Sequence, residues 1–155
     1  HITKDGEWQV EKGVQIVRDV LSVRDVDAIY LHSDCAYSES TVQTLKEMDQ
    51  YAPRGEDGHI FIAAIDGCSS ALNLIREGST DQASGQPIPD FGSMVVVYIE
   101  KKLNGEPIEE GQVVQEGALW SPAQLVMTDV GFQLFLSTTD ISIDNVDNPG
   151  LWGNQ

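Results

Sequence analysis

The chain has 155 residues, 9 basic and 25 acidic, for a net charge of −16, and 41% of it is hydrophobic. That size and composition suit one globular domain, or two small lobes, with a real core. The acidity argues against nucleic acid or anionic lipid as a partner and otherwise serves solubility; no apolar run approaches the ~20 residues that span a bilayer.

The sequence starts at His1 and shows no signal-peptide pattern, as a fragment or processed product would. Asp5 can cap a helix from Gly6 to Arg24, on which Val10, Val14, Val17 and Leu21 share one stripe. Asp27 to His32 reads as a short strand. Ser33-Asp34 then offers a cap for a helix through Tyr51. Pro53 to Gly58 is a loop, and Ile60 to Ile65 is a continuous apolar strand of the kind buried on both faces. Asp66-Gly67 turns the chain into a helix from Ala71 to Glu77, closed by Gly78. Thr80 to Gly85 is a weak strand. Pro87 and Pro89 introduce a helix from Asp90 to Leu103, stopped by Asn104-Gly105-Glu106-Pro107.

This alternation predicts an α/β fold with a parallel sheet between helical layers and right-handed crossovers. Beyond Pro107 the pattern changes. Val113-Val114 and Phe132 to Leu136 read as strands with no long helix between them, and Thr139 to Gln155 reads as a strand or tail packed on another part of the protein.

Trp8, Ser33–Asp34, Asp66 and Gln86 each precede a predicted helix where a strand should end. In open α/β sheets that carboxyl edge is where ligands bind. An aromatic plate, a hydroxyl, a carboxylate and an amide suit a neutral polyhydroxylated ligand. A carboxylate accepts strongly from hydroxyls, an indole face covers C–H groups, and an amide both donates and accepts. Read singly, each has a plainer role: Trp8 in the core, Asp34 as a helix cap, Asp66 as a turn residue before Gly67.

The ordered motifs carry a resemblance. Gly6-Glu7-Trp8-Gln9-Val10-Glu11-Lys12-Gly13, Ala28 through Ala36, Ile65-Asp66-Gly67, Leu74 through Gly78, Gly85-Gln86-Pro87-Ile88-Pro89 with Gly92, Lys102 through Gly105, and Ile143 through Gly153 together resemble periplasmic sugar-binding proteins of the ribose-binding type. These are the solute-binding components of ABC transporters. The similarity covers residues 5–107 and 139–154 and corresponds to the second half of such proteins. It implies a three-layer, open parallel sheet of the periplasmic-binding-protein type I class, incomplete here and mostly the C-terminal lobe. Residues 1–85 would form that lobe, 86–138 would cross toward the N-terminal lobe, and 139–155 would return as the terminal strand and tail. Crossings near Gln86 and Thr138 would act as hinges.

The resemblance also implies a function and a place. Trp8 would wall the sugar, while Ser33, Asp34, Asp66 and Gln86 would line its site, with no cofactor. The partners would be a monosaccharide or related polyol, a membrane permease and the missing N-terminal half, in the periplasm or lipid-anchored outside the cell. Ser33 departs from the family's usual Asn, and Glu109 to Thr128 has no counterpart.

Other chemistry fits less well. His32, Asp34, Cys35 and Cys68 match no structural zinc spacing, so no metal site is expected, and His32 reads as a satisfied strand-end histidine. Cys68 begins a helix but lacks a positioned base, which argues against catalysis. Cys35 and Cys68 can bridge if their Cα atoms lie within ~7 Å, though the plainer reading is two small, partly buried thiols. Two readings stand beside sugar transport: the effector domain of a sugar-responsive transcription regulator, and an α/β enzyme using Cys68 or Asp66. A chemoreceptor or autoinducer-binding member of the same sugar-binding family is a third, narrower variant.

Overall fold

The computed structural model describes all residues, His1 to Gln155. In chain order its elements are α1 (Val10–Leu21), β1 (Ala28–Leu31), α2 (Asp34–Glu47), β2 (Phe61–Asp66), α3 (Ser69–Arg76), β3 (Gln82–Gly85), α4 (Ile88–Leu103), β4 (Gly111–Val113), β5 (Ala123–Thr128), β6 (Gly131–Phe135), β7 (Thr139–Ile141) and a closing 3-10 turn at Trp152–Asn154. Two sheets form. In the first, β1, β2 and β3 are parallel and β7 adds to β3 antiparallel; in the second, β4, β5 and β6 make an antiparallel meander.

The α/β alternation builds the first sheet as the pattern of apolar runs requires. Leu21 of α1, Val42 and Leu45 of α2 and Leu74 of α3 close over Ile62 of β2. Leu72 and Ile75 of α3 close over Ala83 and Ile141, joined by Val146 and Leu151 from the tail. The three helices therefore lie on one face of the sheet. The other face stands open: Tyr30 is 56% and Phe61 44% exposed. The run Ile60 to Ile65, read as doubly buried, is thus covered on one side only, because no helix among these residues reaches the second face.

The first helix also differs from its expected span. Asp5 Oδ1 accepts the Glu7 N–H at 2.8 Å instead of capping a helix, and Glu7 and Trp8 take φ of 51° and 58°. Two successive left-handed non-glycine residues cannot continue a right-handed helix, so α1 begins at Val10 with Gln9 as an N-cap that makes no side-chain bond. No strand precedes Trp8.

Beyond β3 the chain builds a separate layer. α4 begins at Ile88, two residues before Asp90, with Pro87 as its N-cap and Pro89 in its first turn, where a missing N–H costs nothing. No residue of α4 is buried, although Val95, Val96, Val97 and Ile99 make it strongly apolar. An apolar groove of about 400 Å³ separates α4 from β5 and β6, lined by Met94, Tyr98, Leu125 and Phe132 among others. The strands expected near Val113 and Phe132 are β4 and β6. Their central partner, β5, falls in the segment that had no reading, and the tail strand β7 runs antiparallel to an otherwise parallel sheet.

Candidate functional site

The site starts from strand register. Leu31 pairs with Ala64 across β1 and β2, an offset of 33 residues (64 − 31). The same offset persists beyond both strands, so the two strand-to-helix turns face each other residue by residue. Ser33 meets Asp66, Asp34 meets Gly67, and Cys35 meets Cys68. Each rung has its own chemistry.

In the first rung the Ser33 hydroxyl donates to Asp66 Oδ2 at 2.6 Å, while its oxygen also caps α2 by accepting the Ala36 N–H at 3.3 Å. Asp66 ends β2 with a φ of 119°, a conformation rarely used by an L-residue with a side chain. Three contacts hold it there. Its carbonyl accepts the Gln86 N–H at 3.0 Å and the Trp152 indole N–H at 2.8 Å, and its Oδ1 accepts the Gln86 side-chain amide at 3.1 Å. Ser33, Asp66 and Gln86 thus converge at the carboxyl edge of the parallel sheet.

In the second rung Asp34 Oδ2 accepts the Gly67 N–H at 2.8 Å. Asp34 is buried and ties the two turns together, while Ser33 supplies the helix cap. Its carboxyl is pushed up to about 6, chiefly by burial; the charge of Asp66 adds to this and the Gly67 N–H opposes it.

The third rung is a disulfide. Cys35 and Cys68 are bonded, with Cα atoms 5.8 Å apart, which corrects the reading as two thiols. Asp34, Cys35 and Cys68 place their ligand atoms within 4.8 Å of one another, yet the sulfurs are bonded to each other and only the carboxylate is left to offer a cation. While bonded to Cys35, Cys68 holds no thiolate to act as a nucleophile.

The remaining candidates lie apart. Trp8 is 75% exposed on the turn before α1. That end of α1 adjoins the first turn of α2, where a Cβ on Gly13 would come within 2.9 Å of the Tyr37 ring, so Trp8 sits at the same edge without joining the Ser33–Asp66–Gln86 cluster. His32, exposed at the end of β1, packs edge-on against Tyr30, with ring centroids 5.2 Å apart. His59 lies at the opposite, amino edge, between the Ala52 carbonyl at 2.8 Å and Asp81 at 3.0 Å. The side-chain partners of Asp66 are Ser33 and Gln86, and neither of these imidazoles hydrogen-bonds to it.

Sequence reasoning missed Trp152 as a support of Asp66. Its neighbour Gly153 seats the tail against the Gly67 carbonyl, where any Cβ would collide. A crevice of about 350 Å³ opens beside Gln86, lined also by Asp90, Glu116, Trp120, Thr139 and Trp152. Gln86 belongs to both crevice and cluster; Ser33 and Asp66 belong to the cluster alone.

No family model and no curated protein matches this chain. Solved structures do share its fold. A periplasmic ABC-transporter solute-binding protein from Actinobacillus succinogenes with bound D-allose aligns at TM-score 0.67 and 12% identity, over 94% of this chain and 42% of its own. The periplasmic arabinose-transporter component of Shewanella sp. ANA-3, bound to L-arabinofuranose, aligns at 0.65 and 18%, over 92% and 39%. An Agrobacterium vitis solute-binding protein with α-D-tagatopyranose aligns at 0.68 and 17%, over 97% and 41%. The chain therefore has the α/β fold of sugar-type periplasmic binding proteins and spans about two fifths of the length of these structures.

Proposed function

We propose that this chain supplies most of the C-terminal lobe of a solute-binding protein that takes a monosaccharide or related polyol between two lobes. The observation that carries the reading is the Ser33–Asp66–Gln86 cluster. Both carboxylate oxygens of Asp66 are engaged by groups that a sugar hydroxyl can replace. The cluster sits at the carboxyl edge of a parallel sheet, immediately before the chain leaves for the second sheet.

Two passages, at Gln86–Pro87 and at Leu136–Thr138, join the sheets. In this reading they are interlobe crossings, with 1–85 and 139–155 forming one lobe and 86–138 reaching the other. Asp34 is a tether and not a sugar contact. The apolar surface of α4 and the open face bearing Tyr30 and Phe61 would be covered by the N-terminal half, since exposed apolar patches of this kind mark interaction surfaces. A permease would take the closed, loaded form, and closure requires the ligand to favour the closed state over the open one.

The disulfide supports a location outside the cytoplasm, where such bonds persist. It weighs against a cytoplasmic transcription regulator and against an enzyme using Cys68 as nucleophile. The test is a thermal-shift screen of the full-length gene product against D-allose, L-arabinose, D-tagatose and other pentoses, hexoses and polyols. Ligand at a hundredfold excess over Kd stabilises by about 2.7 kcal/mol. A shift of several degrees with one or two sugars, absent in Asp66→Ala, supports the reading; a flat response across the panel refutes it.

A further inference from the structure

We propose that the Cys35–Cys68 disulfide positions the ligand site, so that its oxidation state sets sugar affinity. This rests on the sugar-site reading above and adds a control to it. The geometry is that of consecutive rungs. Ser33 and Asp66 pair first, Asp34 and Gly67 second, and the disulfide closes the series two residues beyond the Ser33–Asp66 hydrogen bond. Of the three links only the disulfide is covalent. The other two are hydrogen bonds, and one depends on a carboxylate that burial disfavours.

Cys35 is exposed, so a reductant can reach the bond. Reduction by a dithiol breaks the Sγ–Sγ bond, leaves one thiol on each cysteine, and converts the dithiol to its own disulfide; two electrons and two protons pass to the protein. The turns carrying Ser33 and Asp66 are then joined only through hydrogen bonds. A sugar must now order both turns as it binds, which weakens affinity. The α2 and α3 cores, Val42 with Leu45 and Leu72 with Ile75, are packed independently of the sulfurs and keep their structure.

The experiment uses the full-length protein, untreated, treated with dithiothreitol, and as Cys35→Ala/Cys68→Ala. Thiols are titrated in denaturant, amide exchange is followed by mass spectrometry, and D-allose, L-arabinose and D-tagatose are titrated calorimetrically. The expected result is no free thiol from this pair in the untreated protein, exchange about tenfold faster at 33–37 and 66–70 on reduction and in the variant, and at least a tenfold weaker Kd. Two free thiols from the pair before treatment, unchanged exchange in the two turns, or an unchanged Kd overturns the proposal. Faster exchange on reduction in a protein that binds none of the sugars leaves the disulfide's hold on the turns standing and overturns the sugar reading instead.

Discussion

Replacing Asp34 with Asn removes a pH dependence of stability that the native protein carries. In the folded chain its carboxyl is pushed from 3.8 to about 6, first by burial and then by the charge of Asp66, against the Gly67 N–H. A raised carboxylate destabilises the fold where it is ionised. Below about pH 4 both states hold the proton and nothing is lost. As pH rises toward and past 6 the unfolded chain releases its proton more readily, and folding is penalised. A gap of about two units amounts to about 3 kcal/mol once both states are ionised, so this group should cost about 2 kcal/mol between pH 4 and pH 7. Asn occupies the same volume and its carbonyl oxygen can still accept the Gly67 N–H, but it does not titrate. Urea denaturation of both proteins at the two pH values gives the double difference, in which the titration of the other acidic groups cancels. The native protein should lose about 2 kcal/mol more than Asp34→Asn over that interval. Equal losses, or a native protein that gains relative to the variant, would refute the assignment of Asp34 as a buried carboxyl.

Two further substitutions probe the supports of the fold. Gly153→Ala places a Cβ 2.8 Å from the Cys68 carbonyl carbon and from Leu72 Cδ1 and into the Gly67 carbonyl oxygen; overpacking of this kind costs about 1–3 kcal/mol, and an unchanged urea midpoint would show that the tail does not seat there. Asp81→Ala leaves the buried Ile62 N–H without its acceptor and Arg54 without its ion pair, at a cost of about 3 kcal/mol or more. Because Asp81 lies at the amino edge of the sheet, affinity for any sugar that binds at the proposed site should not change in the folded fraction; a changed Kd would contradict the separation of the two edges.

The parts of the fold that a reader of the sequence can see are those where one local rule decides. The apolar run ending in Ile65-Asp66-Gly67 gives β2 and its turn, Ser33 gives the α2 cap, and the order of helices and strands gives the parallel sheet. The start of α1 was not legible, because Glu7 and Trp8 adopt left-handed φ with no glycine to announce it. Strand β5 was overlooked because Ala123 to Thr128 has to be read against its partners: Ala123 and Leu125 are buried while Gln124 and Met127 are exposed, an alternation that means little until β4 and β6 flank it. The antiparallel β7 depends on pairing with Ser84 and Gly85, more than fifty residues away.

The site shows the same division at finer scale. Ser33, Asp66 and Gln86 were legible as residues that follow strands, and the structure joins them by hydrogen bonds. The pairing of Cys35 with Cys68 stays an open alternative in the sequence, although the information that decides it is a single integer. Once β1 and β2 pair at an offset of 33, three consecutive residues of one turn must face three of the other: hydroxyl to carboxylate, carboxylate to backbone N–H, sulfur to sulfur. Register is a property of the assembled sheet, and in a parallel pair joined through a helix no turn geometry fixes it locally. Packing of Val42 and Leu45 over Ile62 fixes it instead. The core therefore does more for this site than support it: the same burial that sets the register decides that Asp66 meets a hydroxyl and that the two cysteines meet each other.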